Sequence, residues 1–154
     1  MEDQELLKTV KLMLVDDEER FLSTLAKRLA EKGMQVQTAS SGFEALETIR
    51  DKSVDIVVLD IKMPQMDGIQ TLGHIKKIDP DVEVILLTGH ANVESAVEGM
   101  RLGAYDYLMK PCELEQLIEK ILSAYKHKAA REGKRISDHA KNQMDHWQKH
   151  WSRS

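Results

Sequence analysis

The chain has 154 residues, 42% of them hydrophobic and 31% charged, which is the size and composition of one globular domain with a real core. No apolar run approaches the length of a membrane span, the acidic start MEDQELLKTV carries no apolar signal segment, and the lone Cys112 excludes an internal disulfide, so a cytoplasmic address is expected. The net charge of −4 divides unevenly: residues 1–125 carry 23 Asp/Glu against 14 Lys/Arg, while residues 126–154 carry 8 Lys/Arg against 3 acidic groups, so the body disfavours nucleic acid and suits divalent cations.

In chain order, VKLMLV (10–15) predicts a strand. EERFLSTLAKRLAEKG (18–33) predicts a helix with Phe21, Leu22, Leu25, Ala26 and Leu29 on one face and Gly33 as its stop. MQVQTA (34–39) alternates as a half-exposed strand does, and SGFEALETIRDK (41–52) is helical with Phe43, Ala45, Leu46 and Ile49 as its apolar set. VDIVVLD (54–60) predicts a buried strand, DGIQTLGHIKKI (67–78) a helix weakened by Gly73, and VEVILLTG (82–89) a second buried strand. NVESAVEGMRLG (92–103) is helical, YDYLMKP (105–111) is a short strand, and CELEQLIEKILSAYKHK (112–128) is the last helix of the body. Strands alternating with helices in this way predict an α/β fold with a parallel sheet covered on both faces. Ligands of such a sheet gather beyond the carboxyl ends of its strands.

Those ends are chemically distinctive. The first strand runs into Asp16 and Asp17, the third into Asp60, the fourth into Thr88 and the fifth into Lys110. Three neighbouring carboxylates raise one another's pKa, and a cation makes the group viable; all-oxygen ligands with room for water suit Mg²⁺ or Mn²⁺. A carboxylate is also a competent nucleophile for phosphoryl transfer, and a lysine, a hydroxyl and a metal supply the stabilisation that transfer requires. Taken singly, each residue has a plainer role: Asp16 and Asp17 as a helix cap, Thr88 as a cap for the helix after it, Lys110 as a solvated edge charge. All of them in one order at one end of the sheet are not accounted for that way.

The set LVDDEE, VVLDIKMPQMDG, ILLTGH and YDYLMKP resembles the receiver domain of bacterial two-component response regulators over roughly residues 8–128, and in flavour the receivers of nitrogen-regulatory transcription activators. The resemblance implies a flavodoxin-like, doubly wound, five-stranded parallel sheet in the order 2-1-3-4-5 with five helices, forming a receiver domain over 1–128. It implies that Asp60 is the phosphoacceptor for a sensor histidine kinase. Asp17, Asp60 and the main-chain carbonyl of Lys62 would bind Mg²⁺, with Asp16 acting through water or as a second acidic ligand. Lys110 would pair with the phosphoryl group, and the Lys110–Pro111 peptide would be cis. Thr88 would move toward a phosphoryl oxygen as Tyr107 turns inward, changing the surface around 92–111 for a downstream protein, or for a second copy docking through residues 92–125. Such a chain is a signalling domain that promotes only its own phosphorylation and dephosphorylation. Lys62 and His90, two residues after Asp60 and Thr88, are expected to flank hydrolytic water and tune self-dephosphorylation; the plainer reading is that both are solvated loop residues.

Rival functions fare worse on the residues. A haloacid-dehalogenase-like phosphatase wants an Asp two positions after its nucleophile, where this chain has Lys62. A flavodoxin-like electron carrier wants a Gly- and hydroxyl-rich loop after the first strand, where DDEER would repel a flavin phosphate. Two readings stay open: a receiver-fold interaction module that is never phosphorylated, and a truncated N-terminal piece of a DNA-binding transcription regulator. Residues 129–154 are expected to form a basic, helical C-terminal extension, with Gly133 interrupting the preceding helix. Ile136, Ala140, Met144, Trp147 and Trp151 form a narrow helical stripe, expected to dock on the body or self-associate. His146 and His150 are four apart, but without a third ligand they read as solvated histidines.

Overall fold

The computed structural model describes residues 2–89 and 93–152. Strands β1 (Lys11–Val15), β2 (Gln35–Ala39), β3 (Ile56–Leu59), β4 (Glu83–Thr88) and β5 (Asp106–Met109) pair in parallel in the order β2-β1-β3-β4-β5. The sheet order and the α/β class are those the resemblance implied. Two-residue alternation sorts the strand side chains onto two faces. Met13, Val15, Val57, Leu59, Val84 and Leu86 meet Ala45 and Leu46 of α3 (Gly42–Asp51) and Leu72 and Ile75 of α4 (Gly68–Ile78). Leu12, Leu14, Ile56, Val58, Ile85 and Leu87 meet Leu22 and Leu29 of α2 (Glu19–Glu31) and Leu117 and Ile121 of α6 (Leu114–Ser152). Each fully buried aliphatic side chain contributes about 1.5–3 kcal/mol, so the apolar stripe of each helix decides which face of the sheet it covers. Helix α5 (Val93–Arg101) lies beside α4.

Local signals place the ends. Gly33, at φ 94, stops α2 in a conformation that an L side chain resists. Asp67 and Gln70 form a reciprocal capping box at the start of α4, which offsets the propensity lost at Gly73.

Two elements differ from expectation. A short helix α1 (Asp3–Leu7) precedes the sheet, held by burial of Leu7 and an ion pair from Asp3 to Lys126 at 3.1 Å; five residues are too few to show a period. Gly133, moreover, does not interrupt the last helix: α6 runs unbroken for 39 residues. A glycine inside a helix costs about 1 kcal/mol, and ion pairs on both sides of it outweigh that cost. Lys128 reaches Asp55 at 3.0 Å and Glu132 at 2.9 Å. Arg131 reaches the buried Glu83 carboxylate at 2.8 Å and donates to the Asp81 carbonyl at 3.1 Å. Arg135 pairs with Asp81, Lys76 stands 3.8 Å from Glu83, and His127 lies 3.5 Å from its other oxygen. These groups enclose the amino ends of β3 and β4. Beyond them the helix projects: Ile136, Ala140, Met144 and Trp147 are exposed, so of the two expected uses of this stripe, docking on the body is not seen. The Trp151 side chain lies outside the described residues. His146 and His150 are exposed on this projecting part.

Removing one partner of a buried pair strands the other charge. Arg131 is partly exposed and Glu83 keeps Lys76 nearby, so Arg131→Ala is expected to lower stability by about 1–3 kcal/mol in urea denaturation and to speed hydrogen exchange across 126–135. Lys141→Ala, on the projecting part, is expected to stay within about 0.5 kcal/mol.

Candidate functional site

The sheet carries its backbone hydrogen bonding one residue past three of its strands. Asp16 N donates to Ala39 O at 3.1 Å, Asp60 N to Val15 O at 3.0 Å, and Lys110 N to Thr88 O at 2.7 Å. Three site residues are therefore fixed by main-chain bonds, whatever their side chains do. A further brace comes from α4: Gly68 N donates to Ile61 O at 2.7 Å, and a Cβ on Gly68 would stand 2.1 Å from the carbonyl oxygen of Asp60. Only glycine permits that approach.

The carboxylates of Asp16, Asp17 and Asp60 each offer an oxygen within 4.8 Å of the others. Asp16 and Asp60 are buried and Asp17 is exposed. Lys110 does not sit squarely on Asp60. Its Nζ donates to Asp16 Oδ2 at 2.6 Å, while Asp60 Oδ2 is 3.9 Å away and Glu18 Oε1 3.7 Å away. Asp16 Oδ1 accepts from Glu18 N at 2.9 Å, so Asp16 is engaged on both oxygens. Burial lowers the Lys110 pKa, but the hydrogen bond to Asp16 and the charges of Asp60, Asp16 and Glu18 outweigh it, and the net shift is upward. Burial first, then the Asp16 charge, push Asp60 up from 3.8 to about 6, against the opposing pull of Lys110. One lysine thus leaves the three carboxylates under-neutralised. A hard divalent cation fits that donor set.

Asp17, Lys62, Asp67, Thr88 and Ser95 line an open depression over the cluster. Thr88 is buried, and Tyr107 is exposed on β5. The Lys110–Pro111 peptide is cis. His90 lies outside the described residues. Sequence reasoning brought Asp16, Asp17, Asp60, Thr88 and Lys110 to one rim, and the structure places them there. It did not single out Glu18, Phe21 or Gly68. Phe21 reads in the sequence as part of a core face, yet Lys110 Nζ stands 4.2 Å from its ring centroid.

Comparison with known proteins follows the same geometry. The family model of the response regulator receiver domain matches residues 12–122. The transcriptional regulatory protein ZraR of Klebsiella oxytoca is 38% identical over 118 residues, which are 77% of this chain and 27% of that protein. The chain spans about a quarter of the length of the curated relatives it matches. A response regulator receiver domain protein from Clostridium thermocellum superposes with a TM-score of 0.74 at 38% identity, covering 79% of this chain and 98% of that one. The receiver domain of NtrX from Brucella abortus superposes with a TM-score of 0.72 at 35% identity, covering 75% and 98% respectively.

The raised Asp60 pKa has a stability consequence. Between 3.8 and about 6 the native state holds a proton that the unfolded state has lost, so stability falls as pH rises through that window. Asp60→Asn removes the loss. In the absence of divalent cation at about pH 7.5, it is expected to exceed the wild type by about 1–3 kcal/mol, a difference that closes below about pH 4. Urea titrations at both pH values measure it. Added Mg²⁺ is expected to raise the Tm of the wild type more than that of the variant.

Proposed function

The chain belongs to the response regulator receiver domain family, and from that premise we propose that it is a phosphorylation-driven switch in which Asp60 accepts a phosphoryl group from the phosphohistidine of a sensor histidine kinase. The observation that carries this reading is the convergence of Asp16, Asp17 and Asp60 within 4.8 Å, with Lys110 beside them. An ionised Asp60 oxygen attacks phosphorus, the P–N bond breaks, and its electron pair returns to the imidazole nitrogen, leaving an acyl phosphate on Asp60. Asp17, Asp60 and the main-chain carbonyl of Lys62 would hold Mg²⁺ or Mn²⁺, with Asp16 as a further acidic partner. Such an ion supplies neutralisation of the carboxylates and of the transferring phosphoryl oxygens. Lys110, largely shielded from solvent and charged, adds a second positive group on the same side.

Phosphorylation adds up to two negative charges and three strong acceptors at the rim. Thr88, buried at the end of β4, donates its hydroxyl to the new acceptor. Tyr107, now 45% exposed, turns into the space Thr88 leaves. The surface bearing Val97, Met100, Leu102 and Met109, all exposed, is repacked for a downstream protein or a second copy. The shift in population is bounded by the phosphate's differential interaction with the two states. Lys62, exposed on the wall of the depression beside Thr88, tunes hydrolysis of the acyl phosphate. The relatives named as transcriptional regulators favour an output in transcription, passed on through that surface.

Incubation with acetyl phosphate and Mg²⁺ tests the reading by intact mass. The wild type is expected to gain one phosphoryl group and Asp60→Asn none. Labelling that survives the substitution, or an unlabelled wild type, contradicts it. Thr88→Ala is expected to be labelled while leaving Tyr107 fluorescence unchanged on phosphorylation.

A further inference from the structure

We infer that Phe21 is a positioning residue for Lys110, holding its ammonium at the rim through the face of the ring; this rests on the phosphoacceptor reading of the same site. Lysine ends in a compact charge on a flexible stem, and a single partner leaves it free to pivot. Among the described residues the ammonium meets Asp16 at 2.6 Å, Glu18 at 3.7 Å, Asp60 at 3.9 Å and the Phe21 ring centroid at 4.2 Å. Glu18 is 68% exposed, so its pull is screened by water. Asp16 and Asp60 belong to the cluster that must meet a metal and a phosphoryl group. The ring is the remaining holder.

Its chemistry suits the task. A further carboxylate would hold the lysine equally well but would repel an incoming phosphoryl anion. An aromatic face attracts the cation through its quadrupole and carries no net charge. Phe21 is itself anchored. It packs against the buried cluster of α2 and α6, and it lines an apolar groove with Leu25, Leu87, Pro111, Leu114 and Leu117. A leucine at this position would keep the apolar contacts and lose the ring face, which separates packing from cation holding.

Three proteins made with position 21 altered test this: Phe21→Leu, Phe21→Tyr, and one carrying pentafluorophenylalanine, which keeps the ring's shape and reverses its quadrupole. The first readout is the rate of Asp60 phosphorylation by sub-saturating acetyl phosphate with Mg²⁺. The second is the chemical shift of the Lys110 ε-methylene in unphosphorylated protein, which reports the ring's proximity without any chemistry. The leucine and pentafluoro proteins are expected to be phosphorylated roughly three- to tenfold more slowly, with the tyrosine protein within about twofold of wild type. The Lys110 resonance is expected to move in the leucine variant. A pentafluoro protein as fast as wild type, or a Lys110 resonance indifferent to leucine, overturns the role of Phe21. A wild type that takes no phosphoryl group while its Lys110 resonance does respond to leucine overturns the phosphoacceptor reading, and this role with it, but leaves the contact standing.

Discussion

Like-charge repulsion among three carboxylates, enforced by the backbone, is the constraint on which the rest depends. Main-chain bonds from Asp16 to Ala39, from Asp60 to Val15 and from Lys110 to Thr88 extend the sheet past its strands, so these side chains cannot drift apart to relieve the repulsion. Gly68 adds a steric brace against the Asp60 carbonyl. Lys110 answers only part of the negative charge, because its ammonium is spent mainly on Asp16. Burial first, and the remaining negative charge second, hold the Asp60 pKa up at about 6. A strand ending in a charge is thus tolerated because the end is open to solvent through Asp17 and the depression above it.

The two ends of the sheet solve the same electrostatic problem in opposite ways. At the amino end, Glu83 is as buried as Asp60, but it meets Lys76 of α4 at 3.8 Å and Arg131 of α6 at 2.8 Å, and α6 also binds Asp55 and Asp81. The charges of that cluster are paired within the protein, although Arg131 Nε is buried without a hydrogen-bond partner, and its effect is structural: it fastens residues 127–135 of α6 beneath the sheet. At the carboxyl end the carboxylates outnumber the cations and the site stays under-neutralised. Strand β4 joins the two, with Glu83 at one end and Thr88 at the other. Helix α6 is fastened to the body as far as Arg135, and beyond it the described side chains are exposed.

Most of the fold and the acidic rim were legible in the residues. The largely apolar runs 10–15, 54–60 and 82–89 are too short to be helices, and each leads into or ends on a polar residue, Asp16, Asp60 and Thr88, of a kind that a buried strand end does not need. Repetition of that oddity across strands made the site visible. What was hidden depended on three-dimensional partners. The Glu in VEVILLTG is a buried charge within an apolar run, yet nothing local shows that arginine and lysine from elsewhere in the chain will meet it. Gly133 reads as a helix breaker because propensity is local, whereas the ion pairs that override it come from Asp55, Asp81 and Glu83. Phe21 shares its helical period with Leu25 and so reads as core, although its ring also faces Lys110. Helix α1 was too short to carry any period.

The central claim is that the fold itself holds Asp60 in an under-neutralised carboxylate cluster that a divalent cation completes. Titration of the Asp60 carboxyl carbon by NMR, with and without Mg²⁺, tests it most directly. The account predicts a transition near 6 in the absence of cation and a clear downward displacement when Mg²⁺ is added. A transition at the ordinary aspartate value, about 3.9, that Mg²⁺ leaves in place would contradict it.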